Sequence, residues 1–410
     1  MKKAEVTTST KRPKPLKIAI IATPWLKIPP KGYGGIEAVL DALVKGLVDA
    51  GMEVVVFGVG KRKLHGATVQ PVEIDEQFGF IHDPWYKVLP IVGGHIQKAL
   101  SLIEADGTFD IIHDHNGHIG PQVLSWATRL DSMPPAVHTL HGPPFTTDED
   151  IKRGEPDNRP FWARLNGGHH TYLVGISNAL MQLAPKEVLP LALEPVYNAV
   201  DVRQFPYVDI KKNYFITLAR FNEDKGQHIA VKLCHRLKYR LRMAGTIGDI
   251  ESPRKLLLEL ANPLSKYRQH PEFRYYSDKI LSYVVRNPRI TYSGNMSAQK
   301  KMKFLSEAKA LLFPIQWEEP FGMAVIEALA CGTPVVAMRR GAMPEIIEHG
   351  LNGFLADTEE EFAEYMQRVE EIDPADCRMS VKQKFSAEVM TANYIDRYRE
   401  AIARKKKATS

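Results

Sequence analysis

The sequence predicts an α/β protein made of two doubly wound, parallel-sheet halves. Three observations carry this. Short apolar runs of strand length alternate with segments of helical periodicity along most of the chain. The alternation starts afresh near residue 213, so the architecture repeats although the sequence does not. At 410 residues, 44% hydrophobic and 25% charged, the chain is long enough for two domains with a sizeable core each.

Taken in order, residues 1–15 are polar and rich in Thr, Ser, Lys and Pro, the composition of a disordered basic tail. LKIAII (16–21) follows as a buried strand. A loop with Pro24, Pro29, Pro30 and Gly32 leads to Gly34 and Gly35. Ile36, Val39, Leu40, Leu43, Val44, Leu47 and Val48 then mark one face of a helix ending at Gly51. MEVVVFGV (52–59) completes a βαβ unit. Further strands are expected at 109–115, 136–141, 172–177 and 194–200, then at 213–220, 241–246, 289–294, 310–315 and 334–339. The expected domains are 16–203 and 204–385. An amphipathic helix in 386–410, carrying a basic tail, is expected to cross back to the first. Two segments fit less well. GDIESPRKLLLELANPLSKYRQHPEFRYYSDKILSYVVRN (248–287) is long for one crossover and reads as two helices broken at Pro263 or Pro271. A surface insertion is the favoured reading, against an oligomer contact or an acceptor-specific feature. Residues 76–95, rich in aromatics and proline, either shape an acceptor site or cover the sheet.

Charge and cysteine content narrow the function classes. The formal net charge is +6, and much of the excess sits at Lys2, Lys3, Lys11, Arg12, Lys14 and Lys17 and at residues 404–407. These are solvated ends, or weak contacts to an anionic membrane surface. No basic stripe with interleaved aromatics suggests nucleic acid. No apolar run approaches the ~20 residues of a membrane-spanning helix, and the first residues lack the apolar core of a secretory signal. Cys234, Cys331 and Cys377 are too scattered for a disulfide framework or a metal cluster, which points to a reducing, cytoplasmic setting.

The most informative stretch is WEEPFGMAVIEALACG (317–332), which follows the apolar run ALLFPI (310–315) and becomes a helix with Pro320 at its start and Gly332 at its end. Glu319 and Glu327 stand eight residues apart, one at the helix mouth and one about two turns in. Carboxylates there can accept hydroxyl hydrogen bonds, while the free helix amides receive an anion. That pairing suits a ligand that is both polyol and phosphate, such as a sugar nucleotide. Arg220, at the end of an expected strand, and Lys225 add two cations able to neutralise a diphosphate leaving group. The turn at 32–35 precedes a strong helix, so its bare amides either approach a phosphate or simply allow a tight turn.

Other motifs are weaker. Gly58 and Gly60 give G-x-G after a strand, but Lys63 stands at the third glycine position and no helix begins there. A nicotinamide or flavin site is not expected. Asp148–Asp150 has an Asp-x-Asp pattern in a polar loop after Pro143 and Pro144, and His113, Asp114, His115 and His118 cluster in HDHNGH. Neither has the spacing or partners of a metal site, so none is assigned.

With Arg220, Lys225, Glu319 and Glu327 in view, residues 16–400 resemble a retaining glycosyltransferase of family 4, with the GT-B fold of two Rossmann-like domains facing a deep cleft. YGGIE (33–37), HTLHG (138–142), ISNAL (176–180), NAVDVRQF (198–205), LARFNEDKG (218–226) and EPFGMAVIEALACGTPVVA (319–337) resemble the family's signatures in the family's order. The resemblance implies that Glu319 takes donor-sugar hydroxyls, the amides of Phe321, Gly322 and Met323 meet sugar and diphosphate, and Glu327 holds the ribose. Arg220 and Lys225, helped by Gly34 or Gly35, would hold the diphosphate, and His141 would stand beside the donor sugar. His141 also reads simply as a strand-end histidine. His115 and Asn116 are the weak acceptor-side candidates. The implied reaction is metal-independent hexose transfer with retention from a nucleoside-diphosphate sugar, UDP-linked and glucose-type favoured, to an unidentified hydroxyl acceptor. The nucleotide sugar is a co-substrate and no cofactor is required. A sugar-nucleotide epimerase on the same fold, or a non-catalytic sugar-nucleotide binder, are the alternatives.

Overall fold

The computed structural model describes residues 14–409, apart from 31–33, 61–62, 82, 143–144, 153–156 and 166. Lys2, Lys3, Lys11, Arg12, Gly32, Tyr33, Pro143 and Pro144 therefore lie outside the described residues.

Two sheets organise the chain. The first contains β1 (Lys17–Ile21), β2 (Glu53–Val59), β3 (Lys63–Leu64), β4 (Ala67–Glu73), β5 (Ile111–Asp114), β6 (Ala136–Leu140) and β7 (Thr171–Gly175). Its order is β3-β4-β2-β1-β5-β6-β7, parallel except for the β3–β4 pair. The second contains β8 (Lys212–Leu218), β9 (Leu241–Ala244), β10 (Ile290–Tyr292), β11 (Ala308–Phe313), β12 (Val335–Met338) and β13 (Gly353–Ala356). Its order is β10-β9-β8-β11-β12-β13, and every pairing is parallel. Strand order reverses between β1 and β5, and again between β8 and β11. The loops leaving these strands diverge, opening a crevice at each switch point.

The central strands are buried on both faces, as covered parallel sheets require, while β3, β4 and β10 near the sheet edges are partly exposed. Helix Gly35–Asp49 covers one face of the first sheet through Val39, Leu40, Leu43, Val44 and Leu47. Helix Trp85–Asp106 covers the other through Val92, Ile96, Ala99 and Ile103, so most of the proline-rich 76–95 stretch forms a turn and the start of this cover. The final helix, Ala387–Thr409, lies against the first sheet. Tyr398 Oη is 2.7 Å from His113 Nδ1, and Tyr394 Oη is 2.9 Å from Thr139 Oγ1. Two crossings join the sheets side by side: Val200 N–H donates to Phe385 O (3.0 Å), and Ala387 N–H to Val200 O (3.2 Å). Of the basic C-terminal residues, Arg404 bonds Pro190 O at 3.2 Å and Lys405 bonds Asp131 O at 3.1 Å, so both act as staples to the first sheet.

The structure corrects several sequence expectations. Residues 194–200 are not a strand. They run along β7 and beyond it, with Val196 N–H donating to Gly175 O at 2.9 Å; they are apolar because they are buried, not because they pair continuously. Residues 248–287 hold three α-helices, Pro253–Ala261, Pro271–Lys279 and Leu281–Arg286. Pro271 starts a helix instead of breaking one, since the first helical position needs no N–H. Helix Met323–Ala330 begins after Gly322, leaving Pro320 in the preceding loop.

Glycine is required where the second sheet's strand-end loops meet. Gly226 has φ 65°, and a Cβ there would lie 1.9 Å from Pro314 O. At Gly245 (φ 141°) a Cβ would lie 1.9 Å from Ala219 O. Neither carbonyl can yield without moving the loops that follow β8 and β11. Gly226→Ala is therefore expected to destabilise the fold by roughly 1–3 kcal/mol, read as a lowered denaturation midpoint; an unchanged midpoint would show that these loops are not held this way.

Buried histidines make stability depend on pH. Burial pushes His95 down to about 4 and His113 well below the usual imidazole range. Both stay neutral when folded and gain a proton when unfolded, so the unfolded state binds more protons below about pH 6.5. Their contribution is intact above that pH and is lost as pH falls below it. Acidification from pH 7 to 5 should cost on the order of 2 kcal/mol per histidine. Calorimetric melts at the two pH values check this, and equal or higher stability at pH 5 would contradict it.

Candidate functional site

The site grows from the ends of β8, β11 and β12. After β8 the chain turns through Arg220 to Lys225, and after β11 through Trp317 and Glu319. The two loops are tied backbone to backbone by Gln316 N–H donating to Asp224 O at 2.7 Å. The loop after β12 closes on the same spot: Ala342 N–H donates to Glu319 O at 2.8 Å, and Gly341 N–H to Glu318 Oε2 at 2.6 Å. Gly341 has φ 53°, and a Cβ there would sit 2.2 Å from Glu319 O. Glu319 is thus fixed by backbone contacts before any side-chain interaction is counted.

Its carboxylate then meets Lys225. Lys225 Nζ donates to Glu319 Oε2, which also accepts from Trp317 Nε1 at 2.9 Å. Lys225 Nζ lies 4.8 Å from the Trp317 ring centroid, within cation–π range. Both groups are largely buried, with 20% and 11% of their side-chain surface exposed, so the pair is screened less than a surface one. Glu327, on the helix behind, pairs with Lys301 Nζ at 2.7 Å. Arg220 is half exposed, and its Nη1 stands 3.9 Å from Glu272 Oε1. The structure therefore brings Lys225 and Glu319 into contact beyond the ends of β8 and β11, with Arg220 in the same loop as Lys225 and Glu327 within the helix that follows Glu319. Phe321 is buried, Gly322 (φ 95°) caps helix Met323–Ala330, and Met323 opens it.

The first sheet reaches this edge at two places. Met323 packs both into the second sheet's core and against the cluster beneath helix Gly35–Asp49. The turn after β7 also docks there: Ser177 Oγ donates to Pro320 O at 2.6 Å. Glu345 accepts from the Asn178 and Ala179 amides at 2.9 and 2.7 Å and from Tyr197 Oη at 2.9 Å. Gly34 precedes helix Gly35–Asp49, where a Cβ would lie 2.7 Å from Pro30 Cβ. Beside it, buried Glu37 accepts from Thr23 Oγ1 at 2.6 Å, and burial raises its carboxyl pKa.

His141 follows β6. Its Nε2 lies 2.8 Å from His115 Nδ1. Burial pushes His141 down to about 3 and His115 well below its ordinary value, so the contact joins two neutral imidazoles. His138 and Asp114 form a second buried contact at 2.6 Å. His115 and Asn116 are nearly inaccessible, and the Asn116 amide is spent on Asp114 Oδ1 and the carbonyls of Ile21 and Ala22. They are walls of the β1–β5 crevice, not an open surface. Asp148 pairs with Arg159 at 2.6 Å, and Asp150 accepts from Thr147. Among the described residues no group of three or more His, Cys, Asp and Glu side chains is placed to hold a metal ion.

Sequence reasoning missed Trp317, Lys301, Glu345, Glu37 and Glu272. Trp317 was legible, two residues before Glu319 in the same loop. Glu37 was legible too, as the last residue of YGGIE, two residues after Gly35. Lys301, Glu345 and Glu272 come from elements distant in sequence, and no spacing rule connects them to the site.

Residues 33–204 match the family described as Glycosyltransferase Family 4, and residues 202–384 match Glycosyl transferases group 1. Spore coat protein SA of Bacillus subtilis (strain 168) is 22% identical over 407 residues, covering 92% of this chain and 96% of that protein. A D-inositol 3-phosphate glycosyltransferase of Pseudarthrobacter chlorophenolicus is 24% identical, covering 79% of this chain and 78% of that one. Among solved structures, sucrose-phosphate synthase from Thermosynechococcus elongatus superposes with a TM-score of 0.69 at 19% identity, covering 95% and 100% of the two chains. Anabaena HepE in complex with UDP and glucose gives 0.64 at 19% identity, covering 93% and 98%. Two matching halves that meet at residues 202–204, on a fold shared over nearly the full length, place the chain among the group 1 glycosyltransferases of the GT-B fold.

Proposed function

We propose that this glycosyltransferase moves a hexose, glucose-type and UDP-linked, from a nucleoside diphosphate to an acceptor hydroxyl with retention of configuration. The observation that carries the reading is the meeting of Lys225 and Glu319 at the mouth of helix Met323–Ala330. A cation, a hydroxyl-accepting carboxylate and free helix amides stand together there, matching the diphosphate and the sugar of one ligand. Among the described residues, the two hydrogen bonds to the Glu319 carboxylate both use Oε2, which in this reading leaves Oε1 to accept from sugar hydroxyls. Arg220 and Lys225 supply the counter-charge for the departing diphosphate, the task a divalent ion performs elsewhere. Gly34 and Gly35 approach the same phosphates from the first sheet. Glu327, steadied by Lys301, takes the ribose hydroxyls.

Retention follows if the acceptor hydroxyl attacks from the face the diphosphate leaves, passing its proton to a phosphate oxygen. His141, held neutral, offers the donor sugar a hydrogen bond and no charge. The domains are taken as 16–203 on the acceptor side and 204–385 on the donor side, with 386–410 returning to the first. HepE has been crystallised with UDP-glucose, which supports a UDP-linked donor here. No helix among the described residues is long and apolar enough to cross a membrane. A cytoplasmic location, with weak membrane contact through the basic ends, is part of the same proposal.

Thermal-shift screening of nucleotide sugars, followed by a mass-spectrometric acceptor screen with the best donor, identifies the substrates. Glu319→Ala and Lys225→Ala should each reduce transfer at least ~100-fold, the scale of a lost transition-state electrostatic contact; near-wild-type turnover in both would overturn the site assignment. UDP-hexose incubated without acceptor should not epimerise. Rapid formation of the epimer would replace this reading with an epimerase.

A further inference from the structure

Residues 248–287 are not a passive surface insertion. Helix Pro271–Lys279, within this segment, contacts the loop that carries Arg220 and Lys225 at two points and the helix that follows that loop at a third. Glu272 Oε2 accepts from Gly248 N–H at 2.5 Å, while its other oxygen stands 3.9 Å from Arg220 Nη1. Lys279 pairs with Glu223 at 2.5 Å, an exposed contact that contributes little by itself. Between them, Tyr275 projects into the core and is 5% exposed.

The Tyr275 hydroxyl has its full complement of partners. It accepts from His228 N–H at 3.0 Å, lies 2.9 Å from His228 Nδ1 and donates to Gln227 Oε1 at 3.3 Å. Burial keeps the phenol protonated and His228 neutral. With the hydroxyl hydrogen donated to Gln227 Oε1, the matching His228 tautomer carries its proton on Nδ1 and donates to the same oxygen. Gln227, 1% exposed, in turn donates its Nε2 to Arg220 O at 2.8 Å. A hydrogen-bonded chain thus runs from Tyr275 through Gln227 to the backbone of Arg220. Tyr275 and Gln227 are both buried, so the geometry of the chain up to the Arg220 carbonyl is fixed by packing.

We propose that Tyr275 is a positioning residue for diphosphate recognition, acting through Gln227 on the Arg220–Lys225 loop. This rests on the reading that Arg220 and Lys225 hold the diphosphate. Charge-assisted contacts to a phosphate depend on placement, and a displacement of about 1 Å in such groups can cost on the order of 100-fold. Tyr275→Phe keeps the ring and the packing but removes the hydroxyl. Gln227 then loses the partner that orients it, and the Arg220 carbonyl loses its fixed donor.

The test compares UDP with UMP by titration calorimetry, using the full chain. Tyr275→Phe should weaken UDP binding at least ~10-fold while changing UMP binding little, because the nucleoside and its ribose are held at Glu327, away from this relay. Gln227→Met should give the same pattern, and the double variant should be no worse than either single one, as expected of two links in one chain. Equal weakening of UDP and UMP would mean a general loss of structure and would overturn the proposal, as would unchanged UDP affinity in both single variants. Arg220→Ala and Lys225→Ala separate the two levels. If they weaken UDP and Tyr275→Phe does not, only the positioning role fails. If they leave UDP affinity intact, or if wild-type protein binds neither UDP nor ADP, GDP or dTDP, the diphosphate reading fails and this proposal with it.

Discussion

The ion pair between Lys225 and Glu319 is the interaction around which the second half of the molecule is arranged. Its partners belong to loops after β8 and β11, neighbours in the sheet at the point where strand order reverses. Bringing them together requires the two loops to run backbone against backbone, which is why Gly226 faces Pro314 O and Gly341 faces Glu319 O with no room for a Cβ. The same crowding fixes Glu319 by the Ala342 amide and its own neighbours before its carboxylate makes any contact. The pair is therefore held in place by the scaffold and does not have to hold the scaffold together. That division lets a functional site keep charged groups largely buried, where an unpaired charge would be costly.

Three such pairs lie along the site: Arg220 with Glu272, Lys225 with Glu319, and Lys301 with Glu327. In the proposed reading, Arg220 and Lys225 stand beside carboxylates they can do without once a diphosphate arrives, while Lys301 stays with Glu327. A diphosphate brings the negative charge that Arg220 and Lys225 otherwise find in glutamates, and sugar hydroxyls bring donors for the carboxylates. In the proposed reading, binding exchanges one set of charge-assisted hydrogen bonds for another instead of desolvating bare ions. The penalty for burying charge is met largely when the chain folds. More of the ligand's interaction energy is then available for orienting the leaving group.

Most of the fold was legible because parallel strands buried on both faces leave continuous apolar runs. The expected strands from 16–21 to 334–339 correspond to observed ones, with 194–200 the exception: that run is apolar because it is buried along β7 and its far side. Strands β3, β4 and β13 were missed. Ala67–Glu73 alternates polar and apolar residues beside the sheet edge, and Gly353–Ala356 is only four residues long. For the site, Arg220, Lys225, Glu319 and Glu327 could be found because strand ends and helix mouths have sequence marks. Glu272, Tyr275, Lys301 and Glu345 could not. Each reaches the site across the fold, and the distance at which a side chain acts is set by tertiary packing, which no local pattern records.

The two halves bring opposite chemistries to one cleft, and burial is what separates them. On the second sheet the ionisable groups are paired and charged. On the first, His113, His115 and His141 are driven neutral, first of all by burial and then by the neighbouring histidines, an effect that Asp114 only partly offsets at His141. A neutral imidazole can donate or accept a hydrogen bond without attracting an anion, so in the proposed reading these histidines do not compete with Arg220 and Lys225 for the diphosphate. Tyr394 and Tyr398 reinforce the arrangement: by bonding Thr139 and His113 from the last helix, they fill polar positions that water would otherwise reach. The return of the C-terminal helix to the first sheet is thus tied to the electrostatics of the cleft. It helps keep the first wall uncharged while the second wall carries the charge.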